Sequence, residues 1–392
     1  MEPNSRLKLE AISVTLAILL VSVPIHNDVE YALQSEAKSA DTLGGNSFID
    51  APTWRVNDRW VYSGELDVYD FIADSGVSTN VNTLTGTLDV QVESINLVDV
   101  GGIQTLAYTV AGTGDYRADN IQLEGQNGDV VVEMDTTSVI RVSDMAVISQ
   151  TATIDIEFDP AFGWICWLIS CDIASITASN EYWPPLERHD FPLSVGDTWV
   201  NNYTLNTTYS GSSSYVTIPQ STSDQVETTS TVVQAGYPGV SQSGCSVSYN
   251  VTATDVNGSL VGYGWHCDSM KNDVITLNEV TLGLMARHEI DYSTLSPRPY
   301  VIDVEPMYPL APFDFTSPIW VNVSDANGAP TANQLIEFRY DPTGEVQTIT
   351  TESNGSAFTT LNYGSQGDES LVDGEHGSHG IVAVSYTHLT LP

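Results

Sequence analysis

The chain has 392 residues, enough for two or three domains that each bury a core. Its formal charge is −38, from 12 Lys and Arg against 50 Asp and Glu, and its only lysines are Lys8, Lys38 and Lys271. A surface of this sign repels phosphate backbones, which excludes nucleic acid as a charge-driven partner; self-repulsion on this scale suits a saline setting that screens it within about 8 Å.

Valine, threonine, serine, tyrosine and isoleucine abound, while apolar residues at helical spacing are missing after the first segment, so an all-β protein is expected. Residues 1–40 read as a leader, because Arg6 and Lys8 precede an apolar run, Ala11 to Ile25, that is short for a membrane span. A cut after Ala37, in Ser35-Glu36-Ala37, would release the mature chain, and an uncleaved N-terminal anchor is the alternative. Export to an extracellular or cell-surface location, in an archaeal or bacterial setting, follows from this reading.

Two stretches echo one another. Val56, Asp58, Trp60, Val61 and Leu66 recur at constant offset as Val195, Asp197, Trp199, Val200 and Leu205, and Ala107-Tyr108-Thr109-Val110-Ala111 recurs as Ser248-Tyr249-Asn250-Val251-Thr252-Ala253 with a small insertion. Two echoes in one order predict a tandem duplication. The expected fold is two tandem antiparallel β-sheet repeats, residues 41–160 and 188–296. Asp58 and Asp197 would each hold the turn that launches a strand, and Trp60 and Trp199 would anchor the two cores.

In the first repeat, Trp60, Tyr62, Gly64, Leu66 and Val68 share one strand face. Further strands are expected at Thr85 to Val92, Gln104 to Val110, Asp129 to Met134, Ser138 to Val142 and Thr151 to Phe158, parted by turn signals such as Gln126-Asn127-Gly128. Residues 161–187 read as an apolar connector, including Ala161 to Cys171, and a linker, Tyr182-Trp183-Pro184-Pro185-Leu186-Glu187. The second repeat carries a hairpin between Cys245 and Cys267 whose turn is Asp255-Val256-Asn257-Gly258. Folding it about Val256 sets Tyr249 opposite Tyr263, Val251 opposite Val261 and Cys245 opposite Cys267, which predicts that disulfide, with Cys166–Cys171 as the second.

From residue 297 the character changes, with Ile319-Trp320-Val321-Asn322-Val323, Asp325-Ala326-Asn327-Gly328-Ala329-Pro330, Leu335-Ile336-Glu337-Phe338 and Thr351 through Asn354-Gly355-Ser356-Ala357. Residues 297–383 resemble the immunoglobulin-like modules of bacterial and archaeal surface proteins, of the invasin-type and carboxypeptidase-regulatory-like families. The interval from Thr351 to Asn354 is one residue shorter than their pattern. The resemblance implies a small β-sandwich serving as a spacer or adhesion module. Residues 384–392, Val384 to Pro392, resemble the translation of a transposon-end library adaptor, so this tail is expected to be non-native and the native chain to continue past about Ala383.

Six N-x-[ST] sequons, at Asn202, Asn206, Asn250, Asn257, Asn322 and Asn354, are glycosylation candidates. The Asp255-x-Asn257-Gly258 and Asp325-x-Asn327-Gly328 turns look like halves of calcium loops but lack the remaining oxygen ligands and the closing carboxylate, so calcium is only weakly supported. His376 and His379 fall short of a zinc ligand set, and His189, His266 and His288 are scattered without evident partners. No catalytic or nucleotide-binding motif stands out, so neither enzyme activity nor a cofactor nor a metal is expected. The expected function is a secreted or surface scaffold, envelope or adhesion protein, whose partners would be envelope components or other surface proteins. The alternatives are a carrier of a lipid or apolar ligand on concave sheets and an accessory region of an exported enzyme.

Overall fold

The computed structural model describes residues 49, 51–69, 78–161, 171–213, 218, 221–238, 244–245, 247–281, 284–296, 300–307, 316–325, 327–340, 345–362 and 381–385. The leader, Cys166, His376 and His379 lie outside them. Of the adaptor-like tail, only Val384 and Ser385 fall within them.

Twelve strands form one closed antiparallel barrel: β1 (Arg59–Asp67), β2 (Thr83–Val100), β3 (Ile103–Leu123), β4 (Gln126–Arg141), β5 (Val147–Pro160), β6 (Asp172–Leu186), β7 (Thr198–Ser213), β8 (Thr222–Gly236), β9 (Ser248–Asp255), β10 (Leu260–Cys267), β11 (Asn272–Thr281) and β12 (Leu284–Thr294). Each strand pairs with its neighbours in sequence, and β1 pairs with β12 from Arg59↔Thr294 to Asp67↔Met285, closing the seam. Closure removes every sheet edge from these strands.

Period-two patterning explains the inward faces. In β1, Trp60, Tyr62 and Leu66 are buried while Ser63, Glu65 and Asp67 are exposed; in β4, Val130, Val132 and Met134 are buried while Glu133 and Asp135 are exposed. One core cluster gathers Leu66, Leu84, Tyr116, Val132, Ile154, Phe158 and Leu284, from six different strands. A second gathers Trp54, Trp60, Tyr62, Tyr108, Trp265, Val274 and Ile290 around the Cys245–Cys267 disulfide.

The expected tandem sheets are therefore corrected. Residues 41–160 and 188–296 do not build two bodies, because their strands follow one another around a single closed ladder. Within residues 161–187, the segment expected to be a linker is largely strand β6, whose Ile173, Ala174, Ile176, Ala178 and Tyr182 are buried. The prolines that suggested a linker sit at its end, where the pairing jumps from Ser149↔Glu181 to Val147↔Leu186 and leaves Pro184 and Pro185 out of the regular ladder.

Beyond the barrel, β13 (Tyr300–Pro306), β14 (Thr316–Asp325) and β17 (Ser356–Asn362) form one three-stranded sheet, and β16 (Glu345–Thr350), β15 (Leu335–Tyr340) and β18 (Ile381–Ser385) form another. Ile319, Val321 and Val323 from the first bury themselves with Ile336 from the second. The immunoglobulin-like sandwich expected over 297–383 is corrected as well. In its place the described residues form two three-stranded sheets, in the orders β13-β14-β17 and β16-β15-β18.

The two launching turns have the same hydrogen bonds. Arg55 N donates to Asp58 Oδ2 at 2.8 Å and Val92 N to Asp58 O at 2.9 Å; Ser194 N donates to Asp197 Oδ2 at 2.7 Å and Val232 N to Asp197 O at 2.9 Å. The preceding residues, Asn57 and Gly196, both have positive φ, 72° and 97°, a region that Gly and Asn enter at least cost. The tryptophans differ: Trp60 is fully buried, whereas Trp199 is half-buried at the margin of a small cluster with Leu193, Val232, Tyr249 and Val251.

Candidate functional site

At the end of the barrel where β1 begins and β10 turns into β11, aromatic donors fix one short piece of backbone. The Trp60 indole donates to Met270 O at 2.7 Å, the Trp54 indole to Lys271 O, and the Tyr62 hydroxyl to Asp273 O at 3.0 Å. The Cys245–Cys267 disulfide, with Cα atoms 6.2 Å apart, holds the start of the same turn, whose Asp268–Met270 segment is a single 3-10 turn. Burial drives the Tyr62 phenol far above its usual range, so it remains a neutral donor here.

This turn presents His266, on β10, and Asp273, on β11, as ladder partners. His266 Nδ1 lies 3.1 Å from Asp273 Oδ1. The segment between β6 and β7 adds His189, whose Nε2 lies 3.2 Å from the same oxygen. Phe191 stacks on His189 at 5.6 Å and meets His266 edge-on at 5.1 Å, giving the cluster an apolar wall. His189 and Asp273 keep side-chain exposures of 14% and 16%, whereas His266 keeps 4%, so solvent reaches the cluster at His189 and Asp273 more than at His266. Burial by itself would raise Asp273, but the His189 and His266 rings outweigh it and hold the carboxyl well below the usual carboxylate range. Burial lowers His266 against the pull of Asp273. One ligand atom from each of the three residues lies within 4.8 Å of the others, a grouping that could hold a metal ion.

Sequence reasoning missed this constellation. His189 sits in a segment between strands that carries no periodic signal, and only the crossing of that segment brings it to the β10–β11 turn. The one sequence signal was that His266 and Asp273 flank a turn anchored by Cys267.

No family model and no curated protein matches the chain. Among solved structures, the chain is similar to a beta-barrel-like protein of the domain of unknown function DUF1849 from Brucella abortus. The two are 11% identical over an alignment covering 63% of this chain and all of that one, with a TM-score of 0.31, a likeness too low to carry a functional argument.

The other sequence-based candidates fall elsewhere. Cys245 pairs with Cys267, and Cys171 is disulfide-bonded, while its expected partner Cys166 lies outside the described residues. The hairpin register differs from the expectation by three residues: Tyr249 faces His266 and Val251 faces Gly264. The cause is the turn, where Asp255 N donates to Ser259 O and a bulge lies between Leu260 and Gly262. The disulfide tolerates this because Cys245 precedes the paired part of β9. Asn202, Asn206, Asn257, Asn322 and Asn354 are exposed. Asn250, expected on a polar face, is instead buried at 5% exposure with no hydrogen bond to its Oδ1, so a glycan could join it only before the barrel closes. In the two calcium-like turns, Asp255 Oδ1 accepts from Asn257 N and Ser259 N, and Asp325 Oδ1 from Asn327 N and Ala329 N. Each carboxylate thus serves its own turn.

His288 lies in the barrel interior, 2.5 Å from the Tyr116 hydroxyl, and burial holds it down at about 4. It is therefore neutral at pH 7 and serves as a buried hydrogen-bond partner.

Proposed function

We propose that this chain is an exported, cell-surface or envelope β-barrel protein with a scaffold or adhesion role, its barrel a solid body rather than a container. The observation that carries this reading is the burial of large side chains within the barrel: Trp60, Tyr108, Tyr116, Phe158, Leu84 and Ile290 are all under 2% exposed. Side chains of this size occupy the volume that a carrier would leave for its cargo. The strongly acidic surface and the exposed sequons at Asn202, Asn206, Asn257, Asn322 and Asn354 suit an extracellular face.

Native mass spectrometry of the full chain after incubation with a total lipid extract tests this reading. The bare protein mass is expected; one retained lipid per chain would overturn it in favour of a carrier. A single observation favours that second reading. Leu205 and Val226, which pack on the Tyr182–Tyr203 pair, are only half-buried, so this part of the barrel is less tightly filled.

A further inference from the structure

We propose that His189 Nε2, His266 Nδ1 and Asp273 Oδ1 form a binding site for a divalent transition-metal ion of the zinc class, with the remaining coordination position open to solvent.

Three observations converge on this site. The first is spacing. Ligands bound at about 2.0–2.1 Å around a tetrahedral ion lie about 3.3 Å from one another. The two imidazole nitrogens stand 3.1 and 3.2 Å from one carboxylate oxygen, and all three ligand atoms lie within 4.8 Å of one another, so a small closing of the two rings completes the site. The second is the state of the donors. His189 Nε2 is a buried atom whose 3.2 Å contact with Asp273 Oδ1 lacks the alignment of a regular hydrogen bond. His266 Nε2 is also buried without one, so the only polar engagement of that ring runs through Nδ1 toward the carboxylate. Both imidazole nitrogens crowd one carboxylate oxygen, and an ion would engage all three groups together.

The third is rigidity. His266 lies in a paired strand beside the disulfide-bonded Cys267, and the backbone of Asp273 is held by Tyr62. Gly264 clears the space the carboxylate occupies, since a Cβ there would stand 2.4 Å from Asp273 Oδ2. Phe191 closes one side, and the partly exposed edges of His189 and Asp273 leave an entry path. Two imidazoles and one carboxylate suit zinc, cobalt or nickel better than calcium, which prefers six or more oxygen ligands.

The test uses the full chain with its disulfides intact, stripped by a chelator and titrated with Co²⁺ in excess Ca²⁺, which occupies the acidic surface. One equivalent of Co²⁺ is expected to bind, with the visible absorption of a four- or five-coordinate ion, and Zn²⁺ is expected to displace it. His189→Gln and Asp273→Asn should each weaken binding by at least about tenfold. His189→Gln keeps a polar group beside Asp273, and a cooperative thermal unfolding transition with metal absent is expected to show that this variant still folds. The double variant His376→Ala, His379→Ala should bind as the parent does. Absence of Co²⁺ uptake overturns the proposal, as does uptake that survives both His189→Gln and Asp273→Asn or that is lost only with His376 and His379.

Discussion

Asp58 and Asp197 hold the same turn, but their carboxylates carry different loads. Asp58 is fully buried, and its second oxygen, Oδ1, accepts from Ser296 N at 2.7 Å, so one side chain ties the entry to β1 to the exit from β12. Asp197 is half-buried and, among the described residues, its carboxylate accepts the equivalent of the Arg55 bond from Ser194 N. Removing a buried acceptor leaves its donors unsatisfied at about 1–3 kcal/mol each. Asp58→Ala should therefore destabilise the barrel by about 3 kcal/mol and Asp197→Ala by about 1 kcal/mol, both read from urea unfolding. Equal losses would show that the seam bond to Ser296 contributes nothing. The sequence made both aspartates visible as turn-holders but gave no sign of Ser296, because the seam joins residues 238 positions apart. The two tryptophans differ for a related reason: their equivalence in the pattern says nothing of the surroundings, and Trp60 is enclosed by the aromatic cluster of Trp54 and Tyr108, whereas Trp199 packs half-buried against a smaller one.

At the scale of elements, the β9–β10 hairpin and its disulfide were legible, and the register was not. Alternation fixes which residues share a face but not how many residues a turn and a bulge consume. The disulfide closes a separation of 22 residues, for which loop entropy gives about 3 kcal/mol. The double variant Cys245→Ser, Cys267→Ser should lose about that much in thermal or urea unfolding, while an unchanged midpoint would mean that the aromatic clamp on Met270 and Lys271 holds the turn unaided. Barrel closure was hidden in the same way, since antiparallel neighbours in sequence order look identical in an open sheet and a closed one. Strand β6 was hidden by Trp183-Pro184-Pro185, read as a linker although it sits at the irregular end of the strand. The His189–His266–Asp273 cluster was out of reach, because nothing in local sequence reports where a connecting segment crosses.

For the whole molecule, the charge of −38 is the dominant long-range term. Few compensating ion pairs are formed among the described residues, and most of them, such as Arg59–Asp89 and Arg117–Asp129, lie at the surface, where such pairs contribute little. Screening should therefore stabilise the protein: raising NaCl from about 0.02 M to about 0.5 M should lift the unfolding temperature by roughly 5 °C. A flat or falling curve would mean that self-repulsion is not felt in the folded state.

The seam has a mechanical consequence. Because Arg59 stands opposite Thr294 in an antiparallel pair, the chain enters and leaves the barrel at one point. Tension transmitted along the polypeptide would load the hydrogen bonds of β1 and β12 one after another, as in a zipper, rather than all together in shear. The first elements to bear that load are the bridge of Ile49 to Leu193, the Trp54 indole and the Asp58 bond to Ser296. Under such tension the short segment before β1 would act as the latch whose release opens the barrel.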